Sequence, residues 1–231
     1  LPVRITINRL HLSPRKPPTV AKLLLFNKPY RVLSQFTDTS TNDAKATARQ
    51  TLANFIDLPN FYPAGRLDYD SEGLMLLTDN GSLQARIADP KHKLQKSYWV
   101  QVEGRPSEHT LKGLSAGIEL KDGLTLPAQI RALNTLPTLW RREPCVPEHR
   151  ALNSSWLEIT LTEGRNRQVR RMCAAINHPV LRLVRHRIGA WQLGDMQPGE
   201  HASCDVHLPT RSKDSPAQKK RTPRPNRSKE R

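Results

Sequence analysis

The sequence predicts an α+β fold: a mixed, mainly antiparallel sheet with helices on its flanks. Three observations carry this reading. Residues 98–103 and 156–161 alternate apolar and polar side chains with period two, as half-buried strands do. Residues 23–26 and 74–77 are short unbroken apolar runs, too short for an average helix, and read as buried strands. Segments with helical spacing separate these runs at irregular intervals, and no internal repeat is visible.

In chain order, residues 1–18 carry Arg4, Arg9, Arg15 and Lys16 with no acid and predict a disordered basic segment. One folded body is expected over residues 19–209. Residues 22–30 form a strand that stops at Asn27-Lys28-Pro29, because proline forces an extended or turning chain. Lys28 suits a phosphate, although a lone loop lysine is usually just solvated. Leu52, Phe55 and Ile56 share a helical face, so residues 46–56 are expected to be helical, ending at Pro59. Residues 81–88 make a short helix stopped by Asp89-Pro90.

Lys91, His92, Lys93 and Lys96 lead into a strand with Tyr98, Val100 and Val102 on one face and Trp99, Gln101 and Glu103 on the other. A basic approach to a tyrosine is the composition expected where a phosphate backbone is gripped and a base stacked. A core tyrosine at the start of a strand explains that stretch equally well. Ser107 caps an amphipathic helix that runs to Gly117 with Leu111 and Leu114 inward. Short strands are expected around Asp122-Gly123. Residues 137–155, Pro-rich with Arg141 and Arg142, read as an irregular surface excursion. Beyond the strand at 156–161, Val169, Met172, Cys173 and Ile176 stand at i, i+3, i+4 and i+7, the buried stripe of a helix. His178-Pro179 ends it, residues 181–189 make a basic strand, and residues 191–207 a small terminal hairpin or strand pair. Residues 210–231, with nine Lys or Arg against Asp214 and Glu230, predict a second disordered tail.

The 231 residues include 37 Lys or Arg and 21 Asp or Glu, a net charge of +16. Eleven of those charges lie on the two tails, four on residues 1–18 and seven on residues 210–231, which leaves the central body near +5. Such tails attach to nucleic acid or an anionic surface, or serve solubility alone. Cys145, Cys173 and Cys204 are far apart, odd in number and in no Cys-x-x-Cys pair, which argues against a disulfide framework and a zinc ribbon. The eight histidines lack ligand spacing, so no metal is expected. No apolar run reaches the roughly 18–20 residues that span a membrane. A reducing, cytoplasmic location is expected.

Two stretches concentrate the chemistry. In the first, residues 65–78, Asp68 lies at the lip of a buried strand with Arg66 two residues before it. A carboxylate there must be solvated, paired or functional, because an unpaired buried charge is costly. In the second, residues 163–176, Arg165, Arg167, Arg170 and Arg171 crowd a helix N-terminus, the wrong end of the macrodipole for cations. They need an anion, either phosphate or a carboxylate from elsewhere in the fold.

Leu25-Phe26-Asn27-Lys28-Pro29, Gly65-Arg66-Leu67-Asp68 with Ser71-Glu72-Gly73-Leu74, and the run Glu163-Gly164-Arg165-Asn166-Arg167-Gln168-Val169-Arg170-Arg171-Met172 together resemble the motifs of RsuA-type ribosomal RNA pseudouridine synthases. The resemblance covers roughly residues 20–205, in the family's order. It is to members without an N-terminal S4 RNA-binding module, since only a basic stub precedes Leu23. It implies a pseudouridine-synthase-like catalytic domain over residues 19–209 that isomerises a uridine of 23S rRNA. The family's catalytic carboxylate matches Asp68, its stacking tyrosine Tyr98, and the arginine that pairs with the carboxylate Arg170. Arg171 and Arg165 compete with Arg170 for the pairing. Lys28, Arg66, Lys96, Arg165, Arg167 and Arg171 are expected to hold RNA or brace the site, with the segments at 91–96 and 182–187 and the tails. Asp70 and Glu72 are expected to be structural, Glu72 as a cap of the turn.

Isomerisation breaks the N1–C1′ bond, rotates the freed uracil and joins C5 to C1′. Nothing is oxidised and no group other than a proton is exchanged with solvent, so no cofactor is required. A guanidinium beside the carboxylate favours its charged form in a dry pocket. The uridine must leave its stack, and an aromatic face holds it. The implied partner is 23S rRNA or a large-subunit assembly intermediate, the protein acting as a monomer without a membrane. A passive rRNA binder shows the same charge but has no use for Asp68, and a glycosidase using Asp68 with Asp70 or Glu72 leaves the basic surface unexplained.

Overall fold

In the computed structural model, residues 19–38, 48–92, 94–135 and 138–208 are described. Val20–Val206 form one compact unit; of the second unit, Leu1–Thr19 with His207–Arg231, only Thr19, His207 and Leu208 are described. The expected tails, 1–18 and 210–231, lie outside the described residues.

In chain order the elements are β1 (Thr19–Lys28), β2 (Tyr62–Pro63), β3 (Glu72–Thr78), α1 (Gly81–Ala88), β4 (Lys96–Glu103), α2 (Glu108–Ala116), β5 (Glu119–Leu120) and β6 (Gly123–Leu124). There follow β7 (Gln129–Ala132), α3 (Glu148–Leu152), β8 (Ser154–Leu161), α4 (Gln168–Ala175), β9 (Val180–Ile188), β10 (Trp191–Gln192) and β11 (His201–Leu208). Among the described residues, nine strands make one sheet in the order β11-β1-β3-β9-β4-β8-β7, with β2 on β3 and β10 on β9; β5 and β6 pair separately. β3 and β9 run parallel, whereas β1 with β3, β9 with β4, β4 with β8 and β8 with β7 are antiparallel. The α+β expectation, a mixed and mainly antiparallel sheet with helices, holds.

The alternating strands face the core as their pattern demands. Tyr98, Val100 and Val102 of β4 and Leu157, Ile159 and Leu161 of β8 join Leu111 and Leu114 of α2 and Val169, Met172 and Cys173 of α4 in one buried cluster. β3 is buried at all seven residues, which is why its sequence is an apolar run without alternation. Caps fix the short helices: Asn80 accepts from the Leu83 N–H and Ser107 from the Thr110 N–H.

Three expectations change. The helix at 46–56 is a single 3-10 turn, Leu52–Asn54, with residues 46 and 47 outside the described residues. Its backbone is engaged elsewhere: Leu33 N–H donates to Gln50 O and Leu52 N–H to Gln35 O. Leu52 and Ile56 are still buried, so the apolar spacing reports burial and not a full helix. The terminal strands do not pair with each other, because β10 returns on β9 and β11 runs beside β1. The Pro-rich excursion contains α3, and its Trp140 is anchored inward, donating through Nε1 to Glu72 Oε1 at 2.8 Å.

Candidate active site

Asp68 sits on the loop that enters β3, and that loop is held through its backbone. The loop starts at Gly65, with φ 107°, a conformation free only to glycine. Ser34 Oγ donates to Leu67 O at 2.6 Å and accepts from Leu67 N–H at 3.0 Å. Arg185 on β9 donates to Arg66 O at 3.2 Å and Leu74 O at 2.8 Å. Arg31 N–H donates to Tyr69 O, and Arg170 to Asp70 O at 2.6 Å. Donors from three distant segments, residues 31–34, α4 and β9, thus fix the loop and its entry to β3 without using the Asp68 side chain.

The loop forms one wall of a cleft of about 610 Å³ whose lining includes Asp68, Tyr98, Arg66, Lys96, Arg165, Arg167, Arg170 and Arg185. Tyr98 is only 9% exposed, a core tyrosine, and it also lines this cleft. Arg167 immediately precedes α4 at φ 47° and ψ 33°, a left-handed conformation uncommon for a non-glycine residue. Its guanidinium reaches both acids of the loop: bidentate to Asp70 at 3.0 and 2.9 Å, and 3.6 Å from Asp68 Oδ2. Arg170 lies at 3.4 Å from Asp70 Oδ2 and also donates to Ser71 Oγ. The cation next to Asp68 is therefore Arg167, while Arg170, expected on Asp68, is seated on Asp70. Burial pushes the Asp70 carboxyl up, but the Arg167 hydrogen bond and the charges of Arg170 and Arg167 outweigh it and hold the group below the usual carboxylate range.

The other expected RNA holders divide sharply. Arg66 is exposed at the mouth, and Lys96 is half-buried with Nζ on Leu94 O at 3.1 Å. Burial, and then the charge of Arg185, lower the Lys96 pKa. Arg165 is a clamp: it donates to Gly123 O at 2.8 Å, Leu124 O at 2.6 Å and Glu163 at 3.1 Å, tying the β5 and β6 hairpin to the cleft. Arg171 lies outside the cleft lining and is bidentate to Asp122 at 2.7 and 3.0 Å. Of the basic strand 182–187, only Arg187 is exposed. Arg182 is buried against Glu72 at 3.0 and 2.9 Å, Arg185 is buried on carbonyls, and His186 stacks on Trp99 with ring centroids 4.2 Å apart. Glu72 caps no turn; it is 1% exposed between Arg182 and Trp140.

Lys28 is the sharpest departure, with no exposed surface at all. Its Nζ donates to Pro29 O at 2.9 Å and Val32 O at 2.8 Å, so it reaches no phosphate. Burial, opposed by the charges of Glu72 and Asp70, lowers its pKa from 10.5 to about 7. Below that value the folded and unfolded chains both hold the proton and the burial cost is complete. Between about 7 and 10.5 only the unfolded chain holds it, so stability rises with pH. At 1.36 kcal/mol per unit, the stability of wild type relative to Lys28→Met is expected to rise by about 3 kcal/mol from roughly pH 7 to 9.5 in urea titrations. A difference that stays flat would show that Lys28 keeps its proton when folded.

Ser34 was not legible as a site residue, Asp70 was expected to be only structural and Arg185 to hold RNA, because their partners lie 33 residues or more away in sequence. Residues 22–175 match the family model described as RNA pseudouridylate synthase. The chain belongs to that family. It is 54% identical over 178 residues to ribosomal large subunit pseudouridine synthase E of Xanthomonas campestris pv. campestris, covering 77% of this chain and 92% of that protein. It is 55% identical over 189 residues to the protein of the same name from Vibrio vulnificus, covering 82% and 76%. A solved structure described as a crystal structure of pseudouridylate synthase superposes with a TM-score of 0.64 at 29% identity, covering 80% of this chain and 70% of that one. This pseudouridine synthase therefore converts uridine to pseudouridine in RNA, as the three sequence blocks implied. Among its described residues no helix is long and apolar enough to cross a membrane.

Proposed function

We propose that this synthase isomerises one uridine of large-subunit (23S) ribosomal RNA, free or in an assembly intermediate, with Asp68 as its catalytic carboxylate. The carrying observation is a carboxylate on the wall of a cleft otherwise rich in cations, 3.6 Å from the Arg167 guanidinium and sharing the cleft with Tyr98. A groove that only bound RNA would gain nothing from a negative charge there, since it repels phosphate. The relatives' names, which specify the large ribosomal subunit, support the substrate class.

In this reading the target uridine leaves its stack and enters the cleft, where the Tyr98 ring meets the base. The Asp68 carboxylate acts on the sugar, as nucleophile at C1′ or as base. The N1–C1′ bond breaks, uracil turns, and C5 bonds to C1′. The proton on C5 is lost to solvent and N1 ends protonated, so atoms balance without a co-reactant. Arg167 and Arg170 keep the Asp70 carboxyl ionised, and Asp70 holds both arginines in place.

The test follows from the lost C5 proton. With 23S rRNA carrying tritium at C5 of uridine, the protein is expected to release tritium up to about one equivalent per RNA. Comparing free rRNA with precursor particles identifies the substrate form. Binding without release on either form would overturn the reading in favour of a passive rRNA binder.

A further inference from the structure

Most arginines around the catalytic loop already have a carboxylate. Arg165 is paired with Glu163, Arg167 and Arg170 with Asp70, Arg171 with Asp122, and Arg182 with Glu72. A guanidinium so engaged must break that pair before it can hold a phosphate. Arg66 and Arg185 have none among the described residues but already belong to the cleft lining, Arg185 buried on carbonyls. Outside that lining, Arg31 and Arg142 also carry no carboxylate partner among the described residues.

Both lie against one ring. The Arg142 guanidinium carbon is 4.4 Å from the Tyr30 ring centroid and that of Arg31 is 5.6 Å away. Arg142 is fixed by donating from Nε to Pro144 O at 3.0 Å and from Nη1 to Leu181 O at 3.1 Å, which leaves its Nη2 edge without an acceptor among the described residues. Arg31 is exposed and holds a left-handed φ of 58° at the crest of the turn after β1. Its N–H donates to Tyr69 O at 2.9 Å, one residue from Asp68, so the turn is docked on the catalytic loop.

The buried Lys28 belongs to the same construction. An apolar residue would fill its place without desolvating an ammonium, which is costly. What the ammonium supplies is a pair of hydrogen bonds to the carbonyls of Pro29 and Val32, the two ends of the turn that carries Tyr30 and Arg31. A turn braced from inside, docked beside Asp68 and presenting two unpaired guanidinium groups around an aromatic ring has the composition that holds single-stranded RNA: cations for phosphates and planar groups for bases.

We propose that Tyr30, Arg31 and Arg142 form a second RNA-contact surface adjoining the cleft, which takes the phosphates of nucleotides flanking the target uridine. This rests on the reading of the cleft as the site of rRNA isomerisation. Arg31 and Arg142 each neutralise a phosphate, and the Tyr30 ring keeps the two guanidinium planes in register.

The experiment uses the full chain with Arg31→Gln, Arg142→Gln and the double variant, a 23S rRNA fragment, and salt from roughly 50 to 200 mM. A lost single-strand phosphate contact makes the slope of log affinity against log salt shallower by about 0.7. Over that fourfold salt range, each variant is therefore expected to lose about 2.5-fold less affinity than wild type, with the double variant showing the product of the two effects. In tritium release the loss is expected in KM and not in kcat. Slopes and KM equal to wild type in an active double variant would overturn the proposal. So would a fall in kcat alone, which marks a structural role. If Arg142→Gln fails to fold, Arg31→Gln, whose side chain is exposed and holds no hydrogen bond or ion pair among the described residues, decides by itself. A wild type that neither binds nor releases tritium sinks the underlying reading instead, and is told apart by that.

Discussion

Asp68→Asn is expected to bind rRNA at least as tightly as wild type and to release tritium at least roughly 10³-fold more slowly, the scale on which positioned acid, base or nucleophilic groups act. Asparagine keeps the shape of the side chain but can neither attack C1′ nor accept a proton. The loop does not depend on the Asp68 carboxylate for its form, since Ser34, Arg185, Arg31 and Arg170 hold it by the backbone. Removing a negative charge from a cationic cleft also lowers its repulsion of phosphate. Loss of turnover with binding retained would therefore report chemistry and not folding. Asp70→Asn separates the two acids. Asp70 does not line the cleft but holds Arg167 with two hydrogen bonds, so its loss is expected to reduce turnover less and to disturb binding as well. Full activity in Asp68→Asn, with the Asp70 variant inactive, would exchange their roles.

The two acids also show what the sequence made legible. A carboxylate at the lip of an apolar run stands out because burial of an unpaired charge is so unfavourable. Asp68 stood out that way, its catalytic reading coming from the family resemblance, and the crowded arginines of residues 165–171 were found to need anions. Which anion each one takes is a fact of tertiary structure. Arg171 and Arg165 turn to the hairpin around Asp122, whereas Arg167 and Arg170 turn to Asp70. Strands 98–103 and 156–161 were legible because alternation is local, and the helices at 81–88 and 107–117 because their caps are local. The partner of β11 was not legible, since β1 lies about 180 residues earlier and nothing near residue 201 records it. Lys28 misled for a related reason: the charge suggests solvent, but the carbonyls of its own turn turn it inward. The basic strand misled similarly. Arg182 and Arg185 lie on opposite faces of a sheet interior, each with its own acceptors, and so are lost to RNA.

Gly73→Ala is expected to cost about 3–4 kcal/mol in urea denaturation, close to the limit for a single methyl group, because two penalties combine. Gly73 has φ 102°, a conformation that side chains rarely adopt, and a Cβ there would lie 2.3 Å from Arg185 O and 2.8 Å from Arg185 N. These are backbone atoms of the adjoining strand and cannot swing aside. The close approach is where β3 and β9 run parallel, with Glu72 opposite Val184 and Gly73 opposite Arg185. It brings Arg185 under the loop to hold Arg66 O and Leu74 O, and Arg182 to Glu72. Forcing the strands apart should therefore loosen the Asp68 loop, so that whatever Gly73→Ala protein folds also turns over more slowly. Gly81→Ala provides the contrast, because nothing lies within 4 Å of its Cβ and it opens α1. There alanine is expected to be neutral or stabilising, since a helical glycine gives up more backbone freedom on folding. Equal stability of the two variants would show that the β3 and β9 contact does not set the site. A loss confined to Gly73→Ala, in stability and turnover together, would show that this one glycine lets a parallel strand pair position the loop that carries the chemistry.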